Sequence, residues 1–447
     1  MVNTHKLPDY LEHGIIYQIN PRAFCPEGTL AEASKLLPYI KEFGADIVYL
    51  CPIFEADSSD DVSGWSDRQR ASGLNNPKNP YRISDYYKID SEYGDDADLI
   101  DFVRIAHSLE LRVILDLVYF HCGPNAVFLS DHPEFVIRNE SGEIEVGLWR
   151  FPKLNYDSQE LREYLWQNME YFIEKFDVDG YRCDVGDAVP LDFWAEGVRR
   201  IRAIKPDVMM LNEGTKPDYI DVFDLNYCWE LRAAFIDCVE HGKPASTFVE
   251  RMTRFNRDRL CGSFRSMVCL ENHDSASDDY ENRLEKRVGG KAMNVGFVIS
   301  MLLPFVPFIY NGTEVADTNR HSLWANRFYS ANLVIDWQNA LIAEGKSRLE
   351  LVKKLRLLRE RAEFGLSGEL EFIVTDSDSL LVFKRVKDGA SSIVAVNLSA
   401  EPISATLDIR SSAPDILLCH DAELLASGEI EKPSIKLGAY GYIVFSL

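Results

Sequence analysis

Arg182 and Asp184 stand two positions apart in the run 178–185, where Val178, Gly180, Tyr181 and Cys183 alternate with Asp179, Arg182 and Asp184. That alternation predicts a short, mostly buried strand. Side chains two apart on a strand share a face, so the guanidinium sits beside the carboxylate and favours its ionised form at neutral pH. An ionised, oriented carboxylate is what a nucleophile requires, although a structural ion pair at a strand end would use the same two residues. Further polar residues close other apolar runs: Asp116 and His121 in and after 112–120, Glu213 after 207–212, His273 and Asp274 after 266–270. Each of the carboxylates Glu213 and Asp274 taken singly reads as a solvated loop residue. Together with Asp184, an arginine and two histidines, and with no metal-ligand spacing, they offer an anionic nucleophile, a protonated acid and hydrogen-bond donors for substrate hydroxyls. Glycoside hydrolysis by paired carboxyl groups uses such a set.

Strands alternating with helices must position these residues. The runs 14–19 and 45–53 flank a segment with Leu30, Ala33, Leu36, Leu37 and Ile40 at helical spacing. The alternation continues through helix 96–109, strand 112–120, helix 158–176 with Asp157 and Glu160 in capping-box positions, and strand 178–185. Beyond it come helix 191–204, strand 207–212, a short strand 221–225, helical segments over 229–260, strand 266–270, a helix over 282–302 and strand 307–310. Eight strands, near residues 15, 47, 113, 179, 208, 222, 267 and 307, predict a (β/α)8 TIM barrel, because no glycine-rich phosphate loop follows an early strand as an open doubly wound sheet would have. Three long connections, 55–96, 121–157 and 312–346, then build the cleft at the strands' C-terminal ends. After a helix over 347–361, short alternating runs broken by turns predict a C-terminal antiparallel β domain. The expected domains are a catalytic barrel over 1–365, with 121–157 as a short inserted domain B after the third strand, and a β-sandwich over 366–447.

Composition narrows the partners. The 447 residues are 46% hydrophobic, enough for a barrel core, and 71 acidic against 48 basic residues give a net charge of −23. That excess argues against nucleic acid or an anionic membrane as partner and is compatible with a neutral substrate. Nine cysteines without CxxC pairs indicate neither a zinc site nor a disulfide framework. The first residues carry no apolar signal region, and no stretch reaches the length of a membrane span, so a cytoplasmic protein is expected. No cofactor is expected, and the sequence leaves the oligomeric state open.

The strand-end motifs Asp116-Leu-Val-Tyr-Phe-His121, Gly180-Tyr-Arg-Cys-Asp184, Leu211-Asn-Glu213 and Glu271-Asn-His-Asp274, in that order, make the chain resemble the α-amylase superfamily, glycoside hydrolase family 13. Supporting segments are Ile16-Tyr-Gln-Ile-Asn-Pro-Arg-Ala-Phe24, Asn79-Pro-Tyr-Arg-Ile-Ser-Asp-Tyr-Tyr87, Leu154-Asn155 and Phe308-Ile-Tyr-Asn-Gly-Thr-Glu314. The resemblance implies a retaining α-glycosidase or transglycosylase acting on an α-linked oligosaccharide. Asp184 would be the nucleophile, Glu213 the general acid/base, and Asp274 the third carboxylate that binds and distorts the sugar. Arg182 would orient Asp184 and keep it anionic, His121 and His273 would donate hydrogen bonds to the sugar, Tyr81 would stack beneath it, and Asp116 would support the site from below. Glu213 should have a raised pKa.

The departures from the family pattern are informative. Phe120 stands where many members carry an Asn calcium ligand, and no metal site is expected. Asp187-Ala188 replaces a frequent Lys-His pair, and Pro304-Phe-Val-Pro307 replaces Gly-x-Pro before the last barrel strand. Val185 and the short 121–157 insertion suit short oligosaccharides over starch. Trp65, Trp149, Trp324 and Tyr329 fall in the three long connections, where they could stack on sugars or pack the loops; Trp166 and Trp194 read as core, and Arg327 as a surface ion pair. The expected function is hydrolysis of α-glucosidic bonds in short α-glucans through a glycosyl-enzyme intermediate. The alternatives are a transglycosylase of the same family and a non-catalytic relative that serves as a binding partner, which would have a membrane anchor and lack the carboxylates.

Overall fold

The computed structural model describes residues 5–278, 283–409, 414–425 and 433–447. Eight almost wholly buried strands close into a parallel barrel: β1 (Ile16–Ile19), β2 (Ile47–Leu50), β3 (Arg112–Leu117), β4 (Gly180–Cys183), β5 (Met209–Asn212), β6 (Leu225–Cys228), β7 (Ser266–Cys269) and β8 (Val306–Tyr310). Spatial order follows chain order, and β8 returns to β1 with Phe308 opposite Ile16. Both strand faces are covered, which is why these runs are apolar throughout. Tyr49, Ile114, Met209, Leu211, Tyr227, Met267 and Phe308 cluster together, while alternate residues such as Val48, Val113, Leu115, Tyr181, Cys183 and Val268 join the core packed against the helices. Cys183 therefore packs on the face opposite Asp184, as inert core.

The main helices are α1 (Leu37–Phe43), α2 (Asp67–Ala71), α3 (Asp96–Ser108), α4 (Gln159–Phe176), α5 (Leu191–Ile204), α6 (Trp229–Val239), α7 (Ala245–Arg259), α8 (Gly290–Leu302) and α9 (Ala343–Arg359). Trp194 is fully buried and Trp166 nearly so, both in the core. Helix α4 begins one residue later than the expected cap: the Ser158 hydroxyl accepts the Leu161 amide, and Asp157 stays outside. The helix expected over 282–302 is broken by Gly289, at φ +82°, into Leu284–Val288 and α8, and its expected start at 282 lies outside the described residues.

The sixth strand also differs from expectation. Residues 217–221 form a 3-10 turn opened by Pro217, and the strand is Leu225–Cys228. It was hidden because it contains Asn226, a buried polar residue whose side-chain Oδ1 accepts from Asn212 Nδ2 at 3.0 Å. Polar atoms paired across the barrel interior break the apolar pattern without breaking the strand.

Beyond the barrel lies an antiparallel sheet of β9 (Glu369–Ile373), β10 (Leu380–Lys387), β11 (Ala390–Asn397), β12 (Ile403–Thr406), β13 (Ile416–Leu425) and β14 (Ser434–Ser446). Its order is β9-β10-β11-β14-β12, with β13 also on β14. One face has its own core around Val382, Ile393, Ile435 and Phe445; the other adds Phe383, Val394, Val396 and Val444 to the barrel's core. Buried Arg385 ties the two parts by donating to the carbonyls of Leu302, Gly365 and Gly368. Among the described residues no helix is long and apolar enough to cross a membrane.

Gly180 opens β4 at φ +142°, and a Cβ there would lie 2.0 Å from the Met209 carbonyl oxygen on β5. Gly180→Ala is expected to destabilise the fold by about 3 kcal/mol, because it adds a backbone clash to a disfavoured φ, and to lower the melting temperature measured by calorimetry.

Candidate active site

Arg182, at the centre of β4, is fully buried beneath a pocket at the C-terminal ends of the barrel strands. Its Nη1 donates to Asp116 Oδ1 (2.8 Å) and Oδ2 (2.9 Å) and to Asp184 Oδ1 (2.9 Å). Its Nη2 lies 2.7 Å from Glu213 Oε1, an ion-pair contact misaligned for a hydrogen bond. One guanidinium thus faces three carboxylates. Asp116, on β3, is also held by the hydroxyls of Tyr49 (2.5 Å) and Tyr81 (2.9 Å).

A chain of hydrogen bonds orders the opposite wall. Gln18 of β1 donates through Nε2 to His273 Nδ1 (2.7 Å) and accepts the His273 amide; His273 Nε2 meets the Tyr81 hydroxyl at 2.7 Å. The Tyr81 and His273 rings are 12° from parallel with centroids 5.5 Å apart. Both nitrogens of His273 therefore have protein partners. His121 uses Nε2 on the Tyr81 carbonyl (2.8 Å), which leaves Nδ1 unpartnered among the described residues. In the neutral ring that atom accepts, so a sugar hydroxyl meeting His121 would be the donor, the reverse of the expected polarity. Burial lowers the pKa of both rings, His121 to about 4 despite its hydrogen bond to the carbonyl, so both are neutral near pH 7.

The acids diverge. For Asp274, burial opposes ionisation, but the positive charges around it hold the carboxyl below its usual range: His273 at 3.4 Å when that ring is protonated, and, where the ring is neutral, the Arg68 guanidinium at 2.8 Å with Arg182. Burial raises Asp184 well above that range, and raises Glu213; Arg182 opposes both shifts, while the other carboxylates add to them. Arg182, which favours the ionised form of Asp184, is shared among three carboxylates. Asp184 and Glu213 titrate as a pair. The aligned hydrogen bond from Arg182 goes to Asp184, while Glu213 has the misaligned Arg182 contact and a hydrogen bond from the Val185 amide at 2.9 Å.

Local backbone geometry places Glu213. Val185, after Asp184, adopts φ +44°, a left-handed conformation costly for a β-branched residue, of order 1–3 kcal/mol. That turn points its amide at Glu213 Oε2 (2.9 Å), leaving Oε1 without an aligned donor. Asp187 secures the chain after Glu213: its carboxylate accepts from Asn212 Nδ2 (2.9 Å) and from the amides of Thr215 (2.7 Å) and Lys216 (2.9 Å). A Cβ on Gly214 would fall 2.1 Å from that carboxylate, so the turn needs glycine there. The Asp187-Ala188 departure is thus a substitute clamp on the β4 and β5 ends.

The pocket encloses about 270 Å³ and is lined by Ser66, Arg68, Asn79, Tyr81, His121, Trp149, Phe151, Asp184, Val185, Glu213, Trp229, His273, Asp274, Leu323 and Trp324. Trp149 and Trp324 thus face the cleft. Trp65 instead packs its loop, donating to the Ser59 carbonyl, and Tyr329 pairs with Asn326 outside the pocket lining. Arg327 donates to the carbonyls of Glu27 and Glu92, in place of the expected ion pair. Trp229, Asp187 and Arg68 were absent from the sequence-based candidates. Arg68 lies in the predicted 55–96 connection between Trp65 and Tyr81, the one signal that marks it. Phe120, which stands where many family members carry an Asn calcium ligand, packs against Trp149, and among the described residues no group of three or more His, Cys, Asp or Glu side chains is placed to hold a metal ion.

Comparison with known proteins decides the family. The sequence matches the family described as Alpha amylase, catalytic domain, over residues 9–136 and 144–350. The chain belongs to the α-amylase family of glycoside hydrolases. It is similar to a cyclomaltodextrinase of Geobacillus thermopakistaniensis (24% identical, covering all of this chain and 79% of that protein). A maltogenic alpha-amylase of Bacillus acidopullulyticus is also 24% identical, over 91% of this chain and 72% of its own. Among solved structures, a noncanonic maltogenic alpha-amylase from Thermotoga neapolitana superimposes with a TM-score of 0.81 at 24% identity, over 98% of this α-amylase-family chain and 99% of its own.

Asp187→Ala should leave the fold intact and lower kcat by about 10- to 100-fold, since a small displacement of a catalytic group costs that much. Steady-state kinetics beside a circular dichroism spectrum check it.

Proposed function

We propose that this protein is a retaining α-glucosidase-type hydrolase of short α-glucans, acting through a glycosyl-enzyme intermediate. The observation that carries the reading is one buried guanidinium contacting Asp116, Asp184 and Glu213 on the floor of a pocket whose far wall holds Asp274. Two carboxyl groups straddling one arginine favour the closer spacing of a retaining pair, about 5–5.5 Å, over the wider spacing of an inverting one. The relatives' names, cyclomaltodextrinase and maltogenic alpha-amylase, support α-glucan substrates.

In the first step Asp184 attacks the anomeric carbon while Glu213 transfers its proton to the leaving oxygen, so one bond forms as the glycosidic bond breaks. Asp274 binds ring hydroxyls and favours the distorted ring. In the second step Glu213, now a carboxylate, takes a proton from water, whose oxygen displaces Asp184 with a second inversion. A sugar hydroxyl in place of that water gives transfer by the same route. His121 accepts a sugar hydroxyl, and Tyr81 presents its ring to the sugar. Nine free cysteines, seven of them buried, suit a reducing, cytoplasmic setting.

Maltotriose, isomaltose, panose, sucrose and trehalose, followed by proton NMR during the first turnovers, test this reading. The expected product is a sugar released as its α-anomer, with activity lowered by about 10⁴-fold or more in Asp184→Asn. A β-anomer first, or no hydrolysis of any member by folded protein, would overturn it.

The pH profile follows from the shifts. The rate is lost as pH falls through the Asp184 pKa, because the nucleophile is then protonated, and as pH rises through the Glu213 pKa, because the acid is then lost. Both pKa values are raised, so both limbs of kcat/KM lie above the ordinary carboxylate range. Asp274 contributes to both shifts, so the residual activity of Asp274→Asn should show both limbs displaced to lower pH.

A further inference from the structure

The barrel order divides the pocket into two sides. Asp184, Glu213 and Trp229 come from the ends of the adjacent strands β4, β5 and β6; His273 and Asp274 follow β7, Trp324 lies in the connection after β8, and Arg68 in the connection after β2. Under the proposed function, on which this inference rests, the proton donor must face the leaving group, so the β5–β6 side receives the leaving group. The β7–β8–β2 side receives the sugar that becomes attached to Asp184. Trp229 on the leaving-group side and the Arg68 side chain on the other are similarly exposed, 38% and 36%, so the two sides differ in how they are anchored.

The other side is walled. Arg68, on α2, donates to Asp274 Oδ1 at 2.8 Å, and its guanidinium lies 5.6 Å from the centre of the Trp324 ring. The wall is anchored from behind. Asn76 Nδ2 donates to the Trp324 carbonyl at 3.1 Å, and Arg22, ion-paired with Glu92, donates to the carbonyls of Lys78 and Leu323, so the connections after β2 and β8 are joined at two places. Gln69, fully buried on α2, donates to the Asn76 and Pro77 carbonyls and fixes the helix that carries Arg68. Buried side chains with several hydrogen bonds each make a fixed wall, not a loose flap.

The wall also carries an unused donor. Trp324 is 3% exposed, and its indole Nε1 has no hydrogen-bond partner among the described residues. A buried donor left unpaired calls for a partner that arrives with a ligand. A chain-terminal hydroxyl of a sugar is one such partner. The pocket volume of about 270 Å³ agrees, being just under the ~300–1,000 Å³ typical of small-molecule sites.

We propose that the Arg68–Asp274–Trp324 wall limits the donor side to one sugar ring and reads its non-reducing end, making the enzyme exo-acting with release of single hexoses. An internal glucan segment would need a further ring where Arg68 and Trp324 stand. Arg68 then acts through Asp274 and by exclusion, as a specificity-determining residue.

The test uses p-nitrophenyl α-glucoside and p-nitrophenyl α-maltoside with early products separated by chromatography. The wild-type protein should release nitrophenol from the glucoside. From the maltoside it should release glucose first, with direct formation of maltose and nitrophenol disfavoured by about 100-fold. Arg68→Ala should narrow that preference at least tenfold by admitting a second ring, a change of product that a merely structural loss would not cause. Trp324→Phe keeps the ring and removes the N–H; it should raise KM for the glucoside several-fold while glucose remains the first product from the maltoside. Maltose released directly by the wild type, or an unchanged product ratio in Arg68→Ala, would overturn the inference while leaving the hydrolase reading intact. Folded protein that cleaves neither compound, nor any member of the oligosaccharide panel, would overturn the hydrolase reading itself.

Discussion

The site depends on a single positive charge buried where water cannot screen it. Arg182 lies at the middle of a barrel strand, fully covered, with Asp116, Asp184 and Glu213 around it. Removing that charge would leave like charges facing one another in a low-dielectric interior. The guanidinium both assembles the carboxylates and sets the competition between them. One cation cannot hold three anions with equal strength, and under the proposed mechanism its aligned hydrogen bond favours the anion on Asp184. Burial does the rest by making the second charge costly, which leaves one proton on the pair and, under the proposed mechanism, one nucleophile and one acid.

The barrel's role is to make this arrangement rigid. Parallel strands present their C-terminal ends on one rim, so Asp116, Asp184, Glu213 and Asp274 come from four separate strands or the residues just after them. The close approach of β4 to β5 at Gly180, the strained turn at Val185 and the Asp187 clamp set where the Glu213 carboxyl sits. Each is a local cost in backbone freedom that returns as fixed geometry at the reacting atoms.

Much of this was legible in the sequence because barrel strands are apolar on both faces and their polar ends mark the rim. The residues Asp116, His121, Arg182, Asp184, Glu213, His273 and Asp274 stand at such ends, and the structure brings them around one pocket together with Tyr81. Other features were hidden for physical reasons. β6 carries Asn226 in its interior and so lacks the apolar pattern. Arg68 lies in the short helix α2 and Trp229 is the first residue of α6, so neither has a full turn on both sides to reveal which way it faces. The burial that raises the pKa of Asp184, and the three-way sharing of Arg182 that opposes it, depend on distances between strands that no spacing along the chain encodes. Likewise the polarity of His121 follows from which ring nitrogen the Tyr81 carbonyl takes.

In the proposed mechanism Asp184 is the nucleophile that becomes glycosylated and Glu213 the acid. Incubation with a fluorinated α-glucosyl fluoride that slows the second step, followed by mass spectrometry of the intact protein and its peptides, addresses it directly. The account predicts a mass increase of one fluorohexosyl group, located on the peptide at Asp184 and absent in Asp184→Asn. A label on Glu213, or turnover of natural substrates with no covalent adduct on either residue, would contradict it.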